Sequence, residues 1–164
     1  MQLFILDRHP ILAAQMLCDT HLRKMCLETS QILSGVMFHR HLPLRRMMPQ
    51  VYNPHHPVIT AINSPAKINW VLRYNAALHN EYFYRFGKYH AYYPLSAIYI
   101  RILYTPGIPQ EENQWDFARS FKDMKCYEPD IVEAYRRYYR FKKQLIRNWN
   151  YSRRPEPYWL NDEN

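Results

Sequence analysis

Glycine, cysteine and long apolar runs are scarce in this sequence, and each shortage excludes a class of protein. Three glycines in 164 residues argue against a Gly-rich phosphate-binding loop and against a sheet with many tight turns. The cysteines, Cys18, Cys26 and Cys126, are odd in number and form no CxxC pair, which indicates reduced and mostly buried thiols. No apolar run approaches the roughly 20 residues of a membrane span. We therefore expect no membrane partner and no disulfide framework.

Aromatic side chains and positive charge are abundant instead. Tyrosine, phenylalanine and tryptophan make up 16% of the chain, and the formal net charge is +8. A strongly basic chain suits a polyanionic partner, most often nucleic acid, although an ordinary basic domain has the same composition. The length fits one compact domain over residues 1–164. We expect double-stranded DNA as the partner.

The spacing of apolar residues predicts an all-α fold, a single compact domain of three to five helices joined by long Pro-rich loops. Ser64 before Pro65 is a strong helix start, and Gly87 is a plausible helix end. No segment of the sequence has the pattern of a β-strand. The predicted helices cover about residues 10–36, 65–86, 95–103 and 130–149.

A basic, Pro-rich segment over residues 38–57 interrupts the helical pattern. Long loops of this kind are often functional, and the histidines and arginines here are expected to contact DNA phosphates. Neither the HRH nor the HH histidines have the spacing of a known zinc motif. We therefore predict no metal site and no cofactor. The residues expected to bind DNA are His39, Arg40, Arg45 and Arg46.

The first predicted helix aligns His21, Lys24 and Glu28 on one side, at the border of its apolar stripe. One interpretation is an acid–base group facing a cleft, because a half-buried glutamate can have its pKa raised toward neutrality. The other interpretation is a solvated Lys24–Glu28 pair at positions i and i+4, which is common on helix surfaces. The residues alone leave both open.

Two later segments combine basic and aromatic residues. Residues 81–93 and 135–147 can each hold phosphates electrostatically and stack bases. Alternatively, the first is the rim of an aromatic core and the second is a solvated basic face. The expected DNA-binding residues in these segments are Arg85, Lys88, His90, Arg136, Arg137 and Arg140.

Short motifs in the first ninety residues carry a resemblance to a known family. The first helix has an aspartate, a histidine, a leucine and a glutamate, at Asp19, His21, Leu22 and Glu28. The second has an L-x-x-E-x-x-x-R run before a glycine, at Leu78, Glu81, Arg85 and Gly87. In these motifs the chain resembles the pyrimidine-dimer DNA glycosylases of the endonuclease V type. The match covers residues 10–90, and residues 91–164 form a helical extension outside it. The whole chain is also similar to a set of small phage proteins.

The resemblance implies an enzyme that flips a pyrimidine out of duplex DNA. It implies that Glu28 assists at the sugar, while His21, Arg23 and Lys24 hold DNA and orient that carboxylate. The family also uses the amine of a small residue that is exposed when the initiator methionine is removed. Gln2 is bulky and normally leaves Met1 in place, so the resemblance does not extend to the imine-forming step.

Two other functions fit the same sequence. One is a DNA hypermodification transferase that attaches a small amine or amino acid to an activated 5-methylpyrimidine, with Glu28 or His21 deprotonating the amine. The other is a non-catalytic DNA-binding phage protein. In each case the resemblance implies a protein of the infected bacterial host's cytoplasm, and the start MQLFILDRHP does not read as a signal peptide.

Overall fold

A computed structural model describes residues 1–44, 46–108, 115–121 and 124–161 of the chain. All regular structure in these residues is helical, which confirms the predicted all-α fold, and no described helix is both long enough and apolar enough to cross a membrane. The helices are α1 (Pro10–Gln15), α2 (Asp19–His39), α3 (Pro57–Thr60), α4 (Pro65–Phe86), α5 (Tyr93–Leu103) and α6 (Ile131–Leu145), with 3₁₀ turns at Met124–Cys126 and Tyr158–Leu160.

The predicted first helix is two helices, so its prediction as one continuous element was wrong. Cys18 is extended, with φ −66° and ψ 160°, and it forms the N-cap of α2. The carbonyl groups of Gln15 and Leu17 accept hydrogen bonds from the Arg85 guanidinium, and the Asp19 N–H donates to the Asn150 carbonyl. These long-range bonds replace the backbone bonds that a continuous helix would make here.

Helix α4 begins and ends as its sequence predicts. Ser64 Oγ accepts a hydrogen bond from the Lys67 N–H at 3.3 Å, and Pro65 occupies the first turn. Gly87 ends the helix with φ +65°, a left-handed conformation that glycine adopts without strain. Helix α4 packs against α1, α2 and α5, so it forms the centre of the bundle.

The remaining boundaries differ in detail from the prediction. Helix α3 is an unpredicted turn at the end of the Pro-rich segment, and Ile59 on it packs directly over Gly35 of α2. Asp130 caps α6 at the predicted start of this helix, because its Oδ1 accepts from the Val132 N–H at 2.8 Å. Helix α6 ends at Leu145, four residues before the predicted end, and the chain continues in irregular structure.

A continuous apolar core joins the two ends of the chain. Leu3, Ile5 and Leu6 are almost completely buried, and Tyr139 of α6 and Trp159 of the tail belong to the same cluster. The extended N-terminal segment therefore lies inside the molecule rather than on its surface. This placement fixes the first residues of the chain beside α2 and α6.

Candidate functional site

His21 is enclosed in an aromatic cage rather than facing a cleft. Its side chain is packed between the rings of Phe4, Tyr139 and Trp149, with ring centroids 4.6, 5.2 and 5.5 Å away. Burial, together with nearby lysine charges, lowers the pKa of His21 to about 4, so the imidazole is neutral at pH 7. The expectation that His21 lies at a cleft edge is therefore corrected: only 5% of the residue is exposed.

Glu28 lies two turns further along α2 and is only partly buried. Its Oε1 is 3.3 Å from the Lys24 Nζ, so the i,i+4 ion pair of the second interpretation is present. Its Oε2 is buried and has no hydrogen-bond partner among the described residues. A buried carboxylate oxygen without a donor is unfavourable in a folded protein.

His56 experiences the charges of both Glu28 and the N-terminal amine. Burial lowers the pKa of His56, the positive N-terminal amine lowers it further, and the negative charge of Glu28 opposes both effects. Both charges therefore act on the His56 imidazole. The Gln2 side chain anchors the N-terminus by donating to the Tyr138 hydroxyl at 3.1 Å.

We refer to the N-terminal amine, Lys24, Glu28 and His56 as the amine–carboxylate site. The chain terminus, α2 and the residue that caps α3 each contribute to it. Sequence reasoning missed His56, whose only signal was its place in the HH pair. The site combines a half-buried carboxylate, a partly exposed imidazole and two primary amines. Such a group can accept a proton and stabilise positive charge that develops on a bound sugar.

Arg85 is a structural residue, and its predicted role in DNA binding is corrected. Its side chain has no exposed surface, and its guanidinium donates to Glu81 Oε1 at 2.7 Å and to Asp19 Oδ1 at 3.0 Å. It also donates to the carbonyl groups of Gln15 and Leu17, each at 2.8 Å. A guanidinium enclosed in this way cannot reach a DNA phosphate.

The same network fastens the C-terminal tail to α4 and α2. Arg154 donates to both oxygens of Glu81 at 2.9 Å, in a bidentate pair. Burial favours protonation of Asp19, but hydrogen bonds from Ser152 and Arg85 outweigh it and lower the pKa of that carboxyl. The residues Asp19, Glu81 and Arg85, which carry part of the family resemblance, thus hold three segments of this chain together.

Two of the three predicted arginines of α6, Arg136 and Arg140, are turned toward the protein, whereas Arg137 is exposed. Arg136 donates to the Leu6 carbonyl at 3.0 Å and pairs with Glu133 at 3.0 Å. Arg140 donates to the Trp159 carbonyl at 3.0 Å, and Arg137 pairs with Glu128 at 2.5 Å. The predicted DNA-binding roles of Arg136 and Arg140 are therefore corrected, since internal carbonyl groups hold both side chains, while the role of Arg137 stays a prediction.

The other predicted DNA-binding residues lie in varied settings. The exposed Arg23 stacks its guanidinium over the Phe86 ring at 4.4 Å, and His39 shares a 2.7 Å hydrogen bond with the Pro54 carbonyl. His90 is half buried, its pKa is lowered by burial, and its ring lies 5.5 Å from that of His79. Arg45 falls outside the described residues. Exposed cations with no ion-pair partner among the described residues include Arg40, Arg46 and Lys88.

Three exposed rings form a stack beside Lys88. The centroids of Phe83 and Tyr89 are 4.5 Å apart, as are those of Tyr89 and Tyr93, and the rings are close to parallel. All three side chains are partly open to solvent. Parallel exposed rings next to an exposed cation are suited to stacking on nucleic-acid bases. The sequence indicated an aromatic surface in this segment but not which rings form it.

A buried polar seam runs between α2, α4 and α5. Asn75 donates to Thr29 Oγ1 at 2.8 Å and to Ser30 Oγ at 3.3 Å, and it accepts from Ser96 Oγ at 2.7 Å. One turn further along α4, His79 is completely buried, and neither of its ring nitrogens has a hydrogen-bond partner among the described residues. The seam therefore ends at an imidazole whose two nitrogens have no partner within this described part of the chain.

Comparisons with family models, with curated proteins and with solved structures each found no match for this chain. The resemblance to the pyrimidine-dimer glycosylases therefore depends on the motifs quoted from the sequence. The family assignment stays a prediction.

Proposed function

We propose that this protein is an enzyme that acts on a flipped pyrimidine base in duplex DNA, in the manner of a DNA glycosylase, with Glu28 as its catalytic carboxylate. The observation that carries the proposal is the buried Oε2 of Glu28, which has no hydrogen-bond partner among the described residues and belongs to the amine–carboxylate site. A carboxylate with one desolvated oxygen and a lysine beside the other has the surroundings that are typical of catalytic carboxylates.

The reaction we propose is hydrolysis of the bond between the sugar C1′ and the base. The bonding electrons leave with the base, and positive charge develops on the sugar, where the Glu28 carboxylate stabilises it. Water then adds at C1′ and gives its proton to Glu28, while the departing base takes a proton from solvent or from the N-terminal ammonium. His56, whose pKa is lowered by burial, is available as a neutral proton acceptor.

Binding of DNA in this proposal relies on cations that the fold leaves exposed. Lys24 and the N-terminal ammonium attract phosphate at the site itself. Arg40, Arg46 and Lys88 extend the positive surface, and all three are exposed. Phosphate contacts of this kind position the duplex without reading its sequence.

The non-catalytic alternative is favoured by one separate observation, the stack of Phe83, Tyr89 and Tyr93. Exposed parallel rings bind single-stranded or flipped bases without any chemistry. The two candidates differ in whether the DNA changes covalently.

One experiment separates these functions. Duplex DNA containing pyrimidine dimers, and separately DNA carrying an activated 5-methylpyrimidine with a mixture of amino acids, is incubated with the purified protein. Mass spectrometry of the products then reports base loss or base mass gain. We expect abasic sites in the dimer-containing DNA. A gain in base mass that requires the amine donor would contradict the glycosylase proposal and support the transferase. Unchanged DNA under both conditions, together with salt-dependent binding, would support the non-catalytic DNA-binding protein.

A further inference from the structure

We propose that Cys26, His79 and His90 bind a transition-metal ion, with Zn²⁺ as the preferred occupant. One potential ligand atom from each residue lies within 4.8 Å of the other two. The site is separate from the amine–carboxylate site in its residues and does not depend on the proposed DNA chemistry. It also revises the expectation of no metal, which considered only the spacing of residues along the sequence.

The three ligands come from three different segments. Cys26 lies on α2, His79 lies on α4, and His90 follows α4 in its connection to α5. Zinc requires about 2.0–2.1 Å to a histidine nitrogen and about 2.3 Å to a cysteine sulfur. The three ligand atoms must therefore move closer together than their present separation of up to 4.8 Å before all of them can reach one zinc ion. His90 lies in a connecting loop and is only half buried, so it can make most of this adjustment.

The second observation that points to a ligand is that His79 is buried without hydrogen-bond partners among the described residues. Its residue is 0% exposed, yet both ring nitrogens have no hydrogen-bond partner among the described residues. The neighbouring polar groups of the seam, at Asn75 and Ser96, are bonded to each other at 2.7 Å. An unpaired polar atom in the interior is unfavourable. A metal bond to one ring nitrogen removes part of this penalty.

The chemistry of the ligands selects the ion. A thiolate with two imidazoles suits Zn²⁺ or Cu⁺, whereas Mg²⁺ and Ca²⁺ prefer oxygen ligands. Binding requires loss of the Cys26 thiol proton, which leaves to solvent as the sulfur–metal bond forms. With three protein ligands, a tetrahedral ion keeps one position for water.

An occupied site would fix the connection between α4 and α5. His90 lies next to Tyr89, which is the middle ring of the exposed stack. A metal bond to His90 therefore holds this loop against α2 and α4. Loss of the metal is expected to loosen the loop without unfolding α4, whose own end is set by Gly87.

The test is metal binding by the full-length protein, measured by elemental analysis and by Co²⁺ titration. We expect one ion per chain and a thiolate-to-cobalt charge-transfer band. Cys26→Ser and His90→Gln should each weaken Zn²⁺ binding at least 100-fold. The matched controls are Cys18→Ser, which alters another buried thiol, and His9→Gln, which alters an exposed histidine. Both controls should bind like the wild type.

Circular dichroism keeps the result interpretable. If Cys26→Ser does not fold, His90→Gln decides, because His90 lies outside the helices. Failure of the wild type to bind Zn²⁺, Co²⁺ or Cu⁺ would overturn the proposal, and so would unchanged affinity in a folded His90→Gln protein. Since binding is measured without DNA, neither result bears on the proposed glycosylase activity.

Discussion

His21 and Glu28 face the same side of α2 but experience different surroundings. His21 is packed among aromatic rings, whereas Glu28 keeps 14% of its side chain exposed and reaches Lys24. The aromatic cage holds His21 neutral, and the partial exposure of Glu28 leaves it reachable by a substrate. This difference makes Glu28 the catalytic candidate and gives His21 the role of fixing α2 against the N-terminal segment.

The burial of His21 predicts a pH-dependent stability. Its pKa is lowered from 6.5 to about 4 in the folded protein. Between these values the unfolded state binds a proton that the folded state does not, so the free energy of unfolding falls as pH decreases from about 6.5 toward 4. The contribution of this residue is about 3 kcal/mol over that range, as an order of magnitude.

The measurement is denaturant unfolding at pH 7.0 and pH 5.0 for the wild type and His21→Phe. Phenylalanine fits an aromatic cage and cannot titrate, so the variant should lose less stability on acidification. Equal losses in the two proteins would show that His21 does not carry this dependence. His9→Gln serves as the control, because His9 is exposed.

At the level of elements, the ion network of Arg85 determines where α1 stops and α2 begins. Arg85→Lys keeps the charge but cannot reproduce four hydrogen bonds to Glu81, Asp19 and two carbonyl groups. Removing one partner from a buried pair costs about 3–5 kcal/mol, and the lysine change should approach this range. Thermal melting measures the loss. Arg73→Lys, an exposed change on the same helix, should melt like the wild type.

The packing of α3 on α2 predicts a second effect on stability. A Cβ atom at Gly35 would lie 2.7 Å from Ile59 Cδ1 and 2.8 Å from its Cγ2. Gly35→Ala should therefore destabilise the protein by about 1–3 kcal/mol, although alanine favours helix. The double variant with Ile59→Val should recover part of the loss. A Gly35→Ala protein as stable as the wild type would show that α3 moves aside freely.

The sequence predicted those elements whose signals are local. Helix α4 has its cap, its proline and its terminal glycine within its own length, and its boundaries were predicted correctly. The break at Leu17 and Cys18 could not be predicted, because the groups that replace the helical bonds are Arg85 and Asn150. The orientation of the α6 arginines escaped prediction for the same reason, since Leu6 and Trp159 are distant in sequence.

The candidate site divides in the same way. The Lys24–Glu28 pair follows from helical spacing and was predicted. The approach of His56 and the chain terminus depends on how the Pro-rich segment and the first residues fold over α2. The clustering of Cys26, His79 and His90 likewise depends on tertiary packing, because their spacing in sequence matches no metal motif.

At the level of the whole molecule, the net charge of +8 includes arginines that DNA cannot reach freely, because Arg85, Arg136 and Arg140 are held by internal acceptors. We therefore expect Arg40, Arg46 and Lys88, which are exposed and have no ion-pair partner among the described residues, to contribute to the salt dependence of DNA binding. Replacing all three with glutamine should lower the slope of log K against log salt by about 0.9 for each DNA phosphate that the protein no longer neutralises. Fluorescence anisotropy across a salt series measures the slope.

The matched variant replaces Arg136, Arg137 and Arg140 with glutamine. Its slope should change less than that of the first triple variant, and its melting temperature should fall, because these residues bond to the protein itself. The reverse pattern, in which the α6 triple variant flattens the slope strongly and the other leaves it unchanged, would restore α6 as the DNA interface.

The most direct test of the central claim is single-turnover base release from dimer-containing duplex DNA by the wild type and Glu28→Gln. Glutamine keeps the shape of the side chain but cannot carry its charge or accept a proton, so turnover should fall at least 100-fold. DNA affinity and melting temperature should change little, because glutamine keeps the shape of the side chain and the lost partner, Lys24, is largely exposed to water. Glu133→Gln, an exposed change on α6, should retain full turnover. Near-normal base release by a folded Glu28→Gln protein would contradict the assignment of Glu28 as the catalytic carboxylate.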